Sequence, residues 1–169
     1  MKSVKYQFEI SDVSAHLISV TLNFTPSSPV HDLMLPAWIP GSYMIRDFAR
    51  NIVAISASDK SGILELQQLD KQRWQIQCND SLVTVKYQLY AYDLSVRAAY
   101  IDDEVAVLNP ACLCLSVSTQ ETLPHYINIS KPQSRVTESW RVATGLTRSQ
   151  NTDFLSFGEY SATNYQLLI

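Results

Sequence analysis

Arg46 and Arg50 stand four residues apart, in a stretch that also holds Trp38, Pro40, Gly41, Ser42 and Tyr43. On a helix that spacing projects both guanidinium groups from one face. Guanidinium forks take carboxylates bidentately, so the pair suits a substrate carboxylate or an acidic partner loop. The plainer reading, and the favoured one, pairs them with Asp47, Asp93 or another acid of the same chain. Ser42 follows Gly41 at a sharp turn, where a nucleophile could sit. The Gly-x-Ser-x-Gly pattern is missing, however, and no helix rich in small residues follows, so a turn serine is the better reading.

The other chemistry-bearing residues are scattered. His16, His31 and His125 fall far apart within strand candidates, with no His-Glu-x-x-His spacing to place two zinc ligands on one helix face. Asp102, Asp103 and Glu104 cluster beside Tyr100. Three consecutive acids on extended chain do not converge as a calcium site requires, and a solvated turn accounts for them. Cys78, Cys112 and Cys114 are odd in number and suggest no disulfide framework. Cys112 and Cys114 would share one face of a strand. No second ligand pair stands at zinc-like spacing, so the expectation is reduced, buried thiols and a cytoplasmic setting.

Short strands must position these residues. Val4, Tyr6, Phe8 and Ile10 alternate with polar residues, as do Ile18, Val20, Leu22 and Phe24. Ser11-Asp12 reads as the turn between them. Val30 to Leu35 is a third strand. It runs into the irregular stretch Leu35 to Ile52, where Pro36 and Pro40 interrupt pairing and Pro40-Gly41 marks a tight turn. Ile45, Phe48, Ala49 and Ile52 then recur at helical spacing. Alternation returns at Val53 and Ile55, again around Ile63 to Leu66, and at Trp74, Ile76 and Cys78, with turns at Asp59 to Gly62, Asp70 and Asn79 to Ser81. The longest candidate, Leu82 to Tyr92, carries Val83, Val85, Tyr87, Leu89 and Ala91 on one face and Tyr90 and Tyr92 on the other. Asp93 to Asp103 breaks the pattern. Val105 to Leu108, Cys112 to Val117, Ile127 with Ile129, and Trp140 with Val142 complete the strands, with Asn109-Pro110 as a turn and Gly158 as a break. The fold class is all-β, a β-sandwich or two packed, mostly antiparallel sheets with short irregular helical turns.

Composition narrows the function. The chain has 169 residues, 46% of them hydrophobic, enough for one sizeable core. A net charge of -3 lacks the basic face that nucleic acid calls for. No apolar run reaches a membrane span, and the N-terminus lacks the apolar core of a secretory signal.

The string LPAWIPGSY over Leu35 to Tyr43, with IRDFAR over Ile45 to Arg50, resembles the N-terminal domain of the glycyl-aminopeptidase-type zinc metallopeptidases that carry a PDZ domain. Further pieces fit in order: Tyr87 to Asp93 with Leu94 to Arg97, Val107 to Asn109, and the ending Tyr160 to Ile169. The resemblance spans nearly the whole chain. It implies that residues 1–169 form one β-rich domain of a larger protein, whose catalytic and PDZ domains lie outside this chain. The apolar ending, without a cap or polar tail, fits such a piece. It further implies zinc-dependent removal of small N-terminal residues. The zinc ligands and the general-base glutamate would belong to the catalytic domain, so no cofactor and no catalytic residue is expected here.

Aminopeptidase N-type enzymes have a β-rich N-terminal domain that packs on the catalytic domain and helps wall the substrate cleft. By that analogy the partners are the chain's own catalytic domain and a peptide substrate. The interface or cleft residues would be Trp38, Pro40, Gly41, Tyr43, Arg46, Arg50, Arg97 and Asn109. Two other readings stand beside it. One is a stand-alone module binding peptide or carbohydrate on an aromatic platform of Trp38, Tyr43 and Tyr92. The other is an assembly domain that buries the Trp38 loop in an oligomer.

Overall fold

Alternating side chains fall on opposite faces of a strand, and the longest alternations become the longest strands. β1 (Val4–Asp12) buries Val4, Tyr6 and Phe8, and β2 (Leu17–Phe24) buries Ile18, Val20, Leu22 and Phe24. They pair antiparallel, with Tyr6 opposite Leu22 and Phe8 opposite Val20. The turn between them covers residues 13–16, later than Ser11-Asp12, because β1 continues to Asp12 through a bulge. This is a computed structural model; it describes residues 2–79, 81–95 and 97–169. Asp80 in the expected turn and Val96 in the 94–97 string lie outside the described residues.

β3 (Val30–Met34) enters the proline-containing stretch, which ends in a 3-10 turn (Phe48–Asn51) and β4 (Ile52–Asp59). Short β5 (Gly62–Leu64), β6 (Leu66–Gln68) and β7 (Arg73–Gln77) precede the long β8 (Val83–Tyr90). Then come β9 (Tyr100–Ile101), β10 (Ala106–Val107), α1 (Pro110–Leu113), β11 (Ser116–Val117) and β12 (His125–Ile129). β13 (Thr147–Arg148), β14 (Gly158–Ala162) and α2 (Tyr165–Leu168) finish the chain.

One sheet has eight strands in the order β13-β14-β12-β1-β2-β8-β4-β5, and a second has four, β11-β3-β7-β6. β9 and β10 form a small ribbon. Pairing is antiparallel except for β1 with β12, where Val4 lies opposite His125. The inner face of the large sheet, with Tyr6, Phe8, Val20, Leu22, Val85 and Tyr87, packs on Leu33, Trp74 and Ile76 of the small sheet. The fold is thus mostly β, with two main sheets sharing one core. Three buried tyrosines tie the α1–β11 connection to that core. Tyr87 donates to the Leu113 carbonyl at 2.6 Å, Tyr165 to Cys114 at 2.7 Å and Tyr6 to Leu115 at 2.7 Å. Burial pushes all three phenols well up from their ordinary value.

Several expectations need correcting. Cys112 to Val117 is not one strand. Asn109 accepts from the Ala111 N–H at 3.1 Å and Pro110 takes the first helical position, so a short helix starts where the turn was expected. Only Ser116 and Val117 pair, and the two cysteines share no strand face. Burial pushes the Cys112 thiol up to about 12 and the Cys78 thiol up to about 11, which keeps both protonated. Trp140 and Val142 form no strand: the Trp140 N–H closes a turn onto Thr137, and the Val142 N–H bonds to Leu155. Gly158 opens β14 instead of breaking it, since its φ of +143° is open to glycine alone. His16 sits in the β1–β2 turn at φ +58°, not in a strand. Asn164 caps the N-terminal end of α2, accepting from the Leu167 N–H at 2.9 Å. Among the described residues no helix is long and apolar enough to cross a membrane.

Candidate functional site

The stretch from Leu35 to Asn51 forms a braced loop at one end of the sandwich. Ser42 N–H donates to the Ile39 carbonyl at 3.1 Å across Pro40 and Gly41. Proline at the second position and Gly41 at φ +82° at the third are the requirements of a type II turn. The Trp38 indole N–H donates to the Ser42 carbonyl at 2.7 Å. The Ser42 hydroxyl is buried; it donates to the Met44 carbonyl at 2.9 Å and accepts from Arg46 Nε at 3.2 Å. The Arg46 N–H closes the loop onto the Ala37 carbonyl at 2.7 Å. Phe48 and Ala49 then anchor its far end in the core.

This bracing turns apolar side chains outward. Tyr43 is fully exposed, Met44 and Ile45 are about two-thirds exposed, and Trp38 is about half exposed. Large apolar side chains held out on a fixed loop make it a candidate interaction surface. The expected helical face for Arg46 and Arg50 does not form. Asp47 adopts a left-handed conformation at φ +48°, and the 3-10 turn starts only at Phe48, so Arg46 lies before it. The expected pairing with Asp47 or Asp93 also fails: Asp47 faces Lys71 at 3.6 Å, and no carboxylate among the described residues pairs with either arginine.

A second group emerges at the same end. Ile52, which opens β4, lies opposite Leu89 near the end of β8, while Leu17, which opens β2, lies opposite Tyr90. Beyond that edge His16, Tyr92 and Tyr100 stack, with ring centroids 3.8 Å and 5.2 Å apart, and Tyr90 meets His16 edge-on. His16 Nδ1 bonds to the Ile101 carbonyl at 2.6 Å. Tyr100 donates to Asp102 at 2.8 Å, and that bond pushes the Tyr100 phenol up to about 12. Asp102 also accepts from the N–H groups of Glu104 and Val105, which makes the acidic run a capped turn and draws its carboxyl below the usual range. Tyr90 and Tyr92 keep about half their surface exposed.

The sequence placed Tyr90 and Tyr92 on one face, but gave no sign that His16 and Tyr100 would join them. β8 ends at Tyr90, and Tyr92 pairs beyond it with Tyr100 in an isolated bridge. Arg97 contributes its backbone carbonyl to the Cys112 thiol at 3.3 Å, and Asn109 is the α1 cap; neither joins the Trp38 loop through a hydrogen bond. The histidines do not fit a shared zinc ion. His16 is stacked in the aromatic group, His31 bonds to Ser27 and Ser118, and His125 bonds to Leu123. Among the described residues no three His, Cys, Asp or Glu side chains converge.

These features define a two-sheet β domain that presents a braced apolar loop and an aromatic stack at one end. The chain belongs to the Peptidase M61 N-terminal domain family, whose model matches residues 5–169. It is similar to the crystal structure of an aminopeptidase N family protein from Idiomarina loihiensis, with a TM-score of 0.92 and 38% identity. That match covers 98% of this chain and 28% of the other, so the chain spans under a third of that relative's length. No curated protein matches it.

Proposed function

We propose that this chain is the non-catalytic N-terminal domain of a zinc-dependent aminopeptidase, with residues 1–169 as a single domain, packing on the catalytic domain and helping to wall its substrate cleft. The observation that carries the reading is the outward row of Tyr43, Met44 and Ile45 on a loop braced through Ser42. A domain stable by itself has no use for that row, and a docking partner would bury it. Arg46 and Arg50, free of carboxylates within the described residues, suit acidic groups on that partner or the carboxylate of a peptide. The zinc, the glutamate base, a preference for small N-terminal residues such as glycine and a PDZ domain would belong to the rest of the parent protein, and the setting would be cytoplasmic.

The test is a full-length parent carrying Tyr43→Ser with Ile45→Ser, and separately Arg50→Ala. Peptide turnover should fall about tenfold or the domains should melt apart, since buried interface anchors contribute on the order of 1–2 kcal/mol each. Unchanged turnover together with unchanged melting in both variants would overturn the reading.

The half-exposed Tyr92 in its three-ring stack favours a second reading, a module binding peptide or carbohydrate with Trp38, Tyr43 and Tyr92 as aromatic contacts. Saturable changes in tryptophan fluorescence of the 169-residue chain with sugars or peptides would support it, and their absence would leave the docking reading in front.

A further inference from the structure

The inner face of the large sheet is covered unevenly. The four-stranded sheet packs over β1, β2 and β8. The β12–β14 flank is roofed instead by residues 106–110, the strap 141–146 and α2. Between roof and sheet lies a cavity of about 410 Å³, within the range of small-molecule sites. Phe8, Ile127 and Ile129 line it from the sheet, and Leu108 and Leu146 from the roof.

Its polar side chains are few. The Tyr160 hydroxyl is spent on the Ser156 carbonyl, and the Thr144 hydroxyl accepts from the Leu146 N–H at 3.2 Å. Arg141 is the one charged side chain on the lining, is exposed to solvent, and pairs with no carboxylate among the described residues. The apolar side chains on the lining would contact an apolar group held there. A guanidinium borne by the lining can take a carboxylate in two parallel hydrogen bonds. The strap carrying Arg141 is tied back by the Val142 N–H bond to the Leu155 carbonyl at 3.1 Å.

We infer that this cavity is a binding site for an apolar group ending in a carboxylate, with the chain or ring under the strap and the carboxylate on Arg141. Two sources share that chemistry, a free medium-length acyl carboxylate and the apolar C-terminal residue of a peptide. The inference stands apart from the docking reading, and its failure leaves that reading untouched.

The test titrates the 169-residue chain with decanoate, with 1-decanol as its neutral counterpart, and with acetyl-phenylalanine, followed by calorimetry and amide chemical shifts. Decanoate should bind saturably, and Arg141→Gln should weaken it about tenfold while leaving decanol unchanged, as expected for loss of a charge-assisted pair. Ala106→Leu, which grows into the void, should abolish both and raise the melting temperature. Tighter binding of acetyl-phenylalanine than of decanoate assigns the peptide source, and the reverse order the acyl source. No saturable decanoate binding, or equal decanoate affinity in the Arg141→Gln chain, overturns the proposal.

Discussion

Arg46 donates through Nε to the hydroxyl of Ser42 across 3.2 Å, so the first arginine of the IRDFAR string braces its own loop, while Arg50 makes no such bond among the described residues. The two arginines therefore have different structural roles despite their matched spacing. Arg46→Ala should lower the unfolding midpoint of the chain, by roughly 0.5–1.5 kcal/mol for one hydrogen bond. Arg50→Ala, at an exposed position, should stay within about 0.5 kcal/mol of the parent chain. Urea unfolding of both variants checks this, and equal losses would contradict the assigned roles.

Ser42→Ala removes the acceptor for the Arg46 Nε and Met44 N–H groups and the donor to the Met44 carbonyl. The expected cost is about 1–3 kcal/mol, because a buried network loses its centre. Hydrogen exchange should locate the damage, with faster exchange confined to residues 38–46. A Ser42→Ala chain with wild-type stability and exchange would mean that the turn at Pro40 and Gly41 holds the loop unaided.

His125 is fully buried between the rings of Tyr6 and Tyr165, and its Nε2 has no partner among the described residues. Burial holds its pKa below the ordinary value near 6.5, against smaller upward pulls from the Leu123 carbonyl and Glu121. The unfolded chain then binds the proton more readily than the folded one. Stability is complete above about pH 6.5 and falls as pH drops through that value toward the lower folded pKa. Urea midpoints between pH 8 and pH 5 should show this decline, and His125→Phe should flatten it. A decline of the same size in His125→Phe would assign it to other groups.

Gly158 begins β14 at φ +143°, and a Cβ there would lie 2.5 Å from the Thr152 hydroxyl oxygen. That hydroxyl already accepts from the Glu159 N–H at 3.0 Å, so it is not free to move away. Gly158→Ala should destabilise the chain by about 2–4 kcal/mol through strain and crowding together. Thermal melting gives the answer, and a loss below about 0.5 kcal/mol would show that the 149–159 loop repacks.

Much of the fold was legible because a strand's two-residue period is written into a few adjacent positions. The buried sets of β1, β2 and β8 are the residues that alternation singled out, and the Pro40-Gly41 turn follows from the φ that each residue permits. Helical spacing in Ile45, Phe48, Ala49 and Ile52 misled, since the left-handed Asp47 delays the turn and confines it to four residues. Asn109-Pro110 carried a helix start within its own chemistry, yet the apolar run after it matched a strand equally well.

Other features came from long-range pairing, which no local pattern contains. The sequence alone determined the alternating strands and the turn chemistry, because those depend on neighbours in the chain. Only the tertiary structure decided that Val4 pairs in parallel with His125, that His16 and Tyr100 stack on either side of Tyr92, and that the strap bearing Arg141 roofs a cavity over the β12–β14 flank. Each of those joins segments whose closing depends on the register and packing of the whole core.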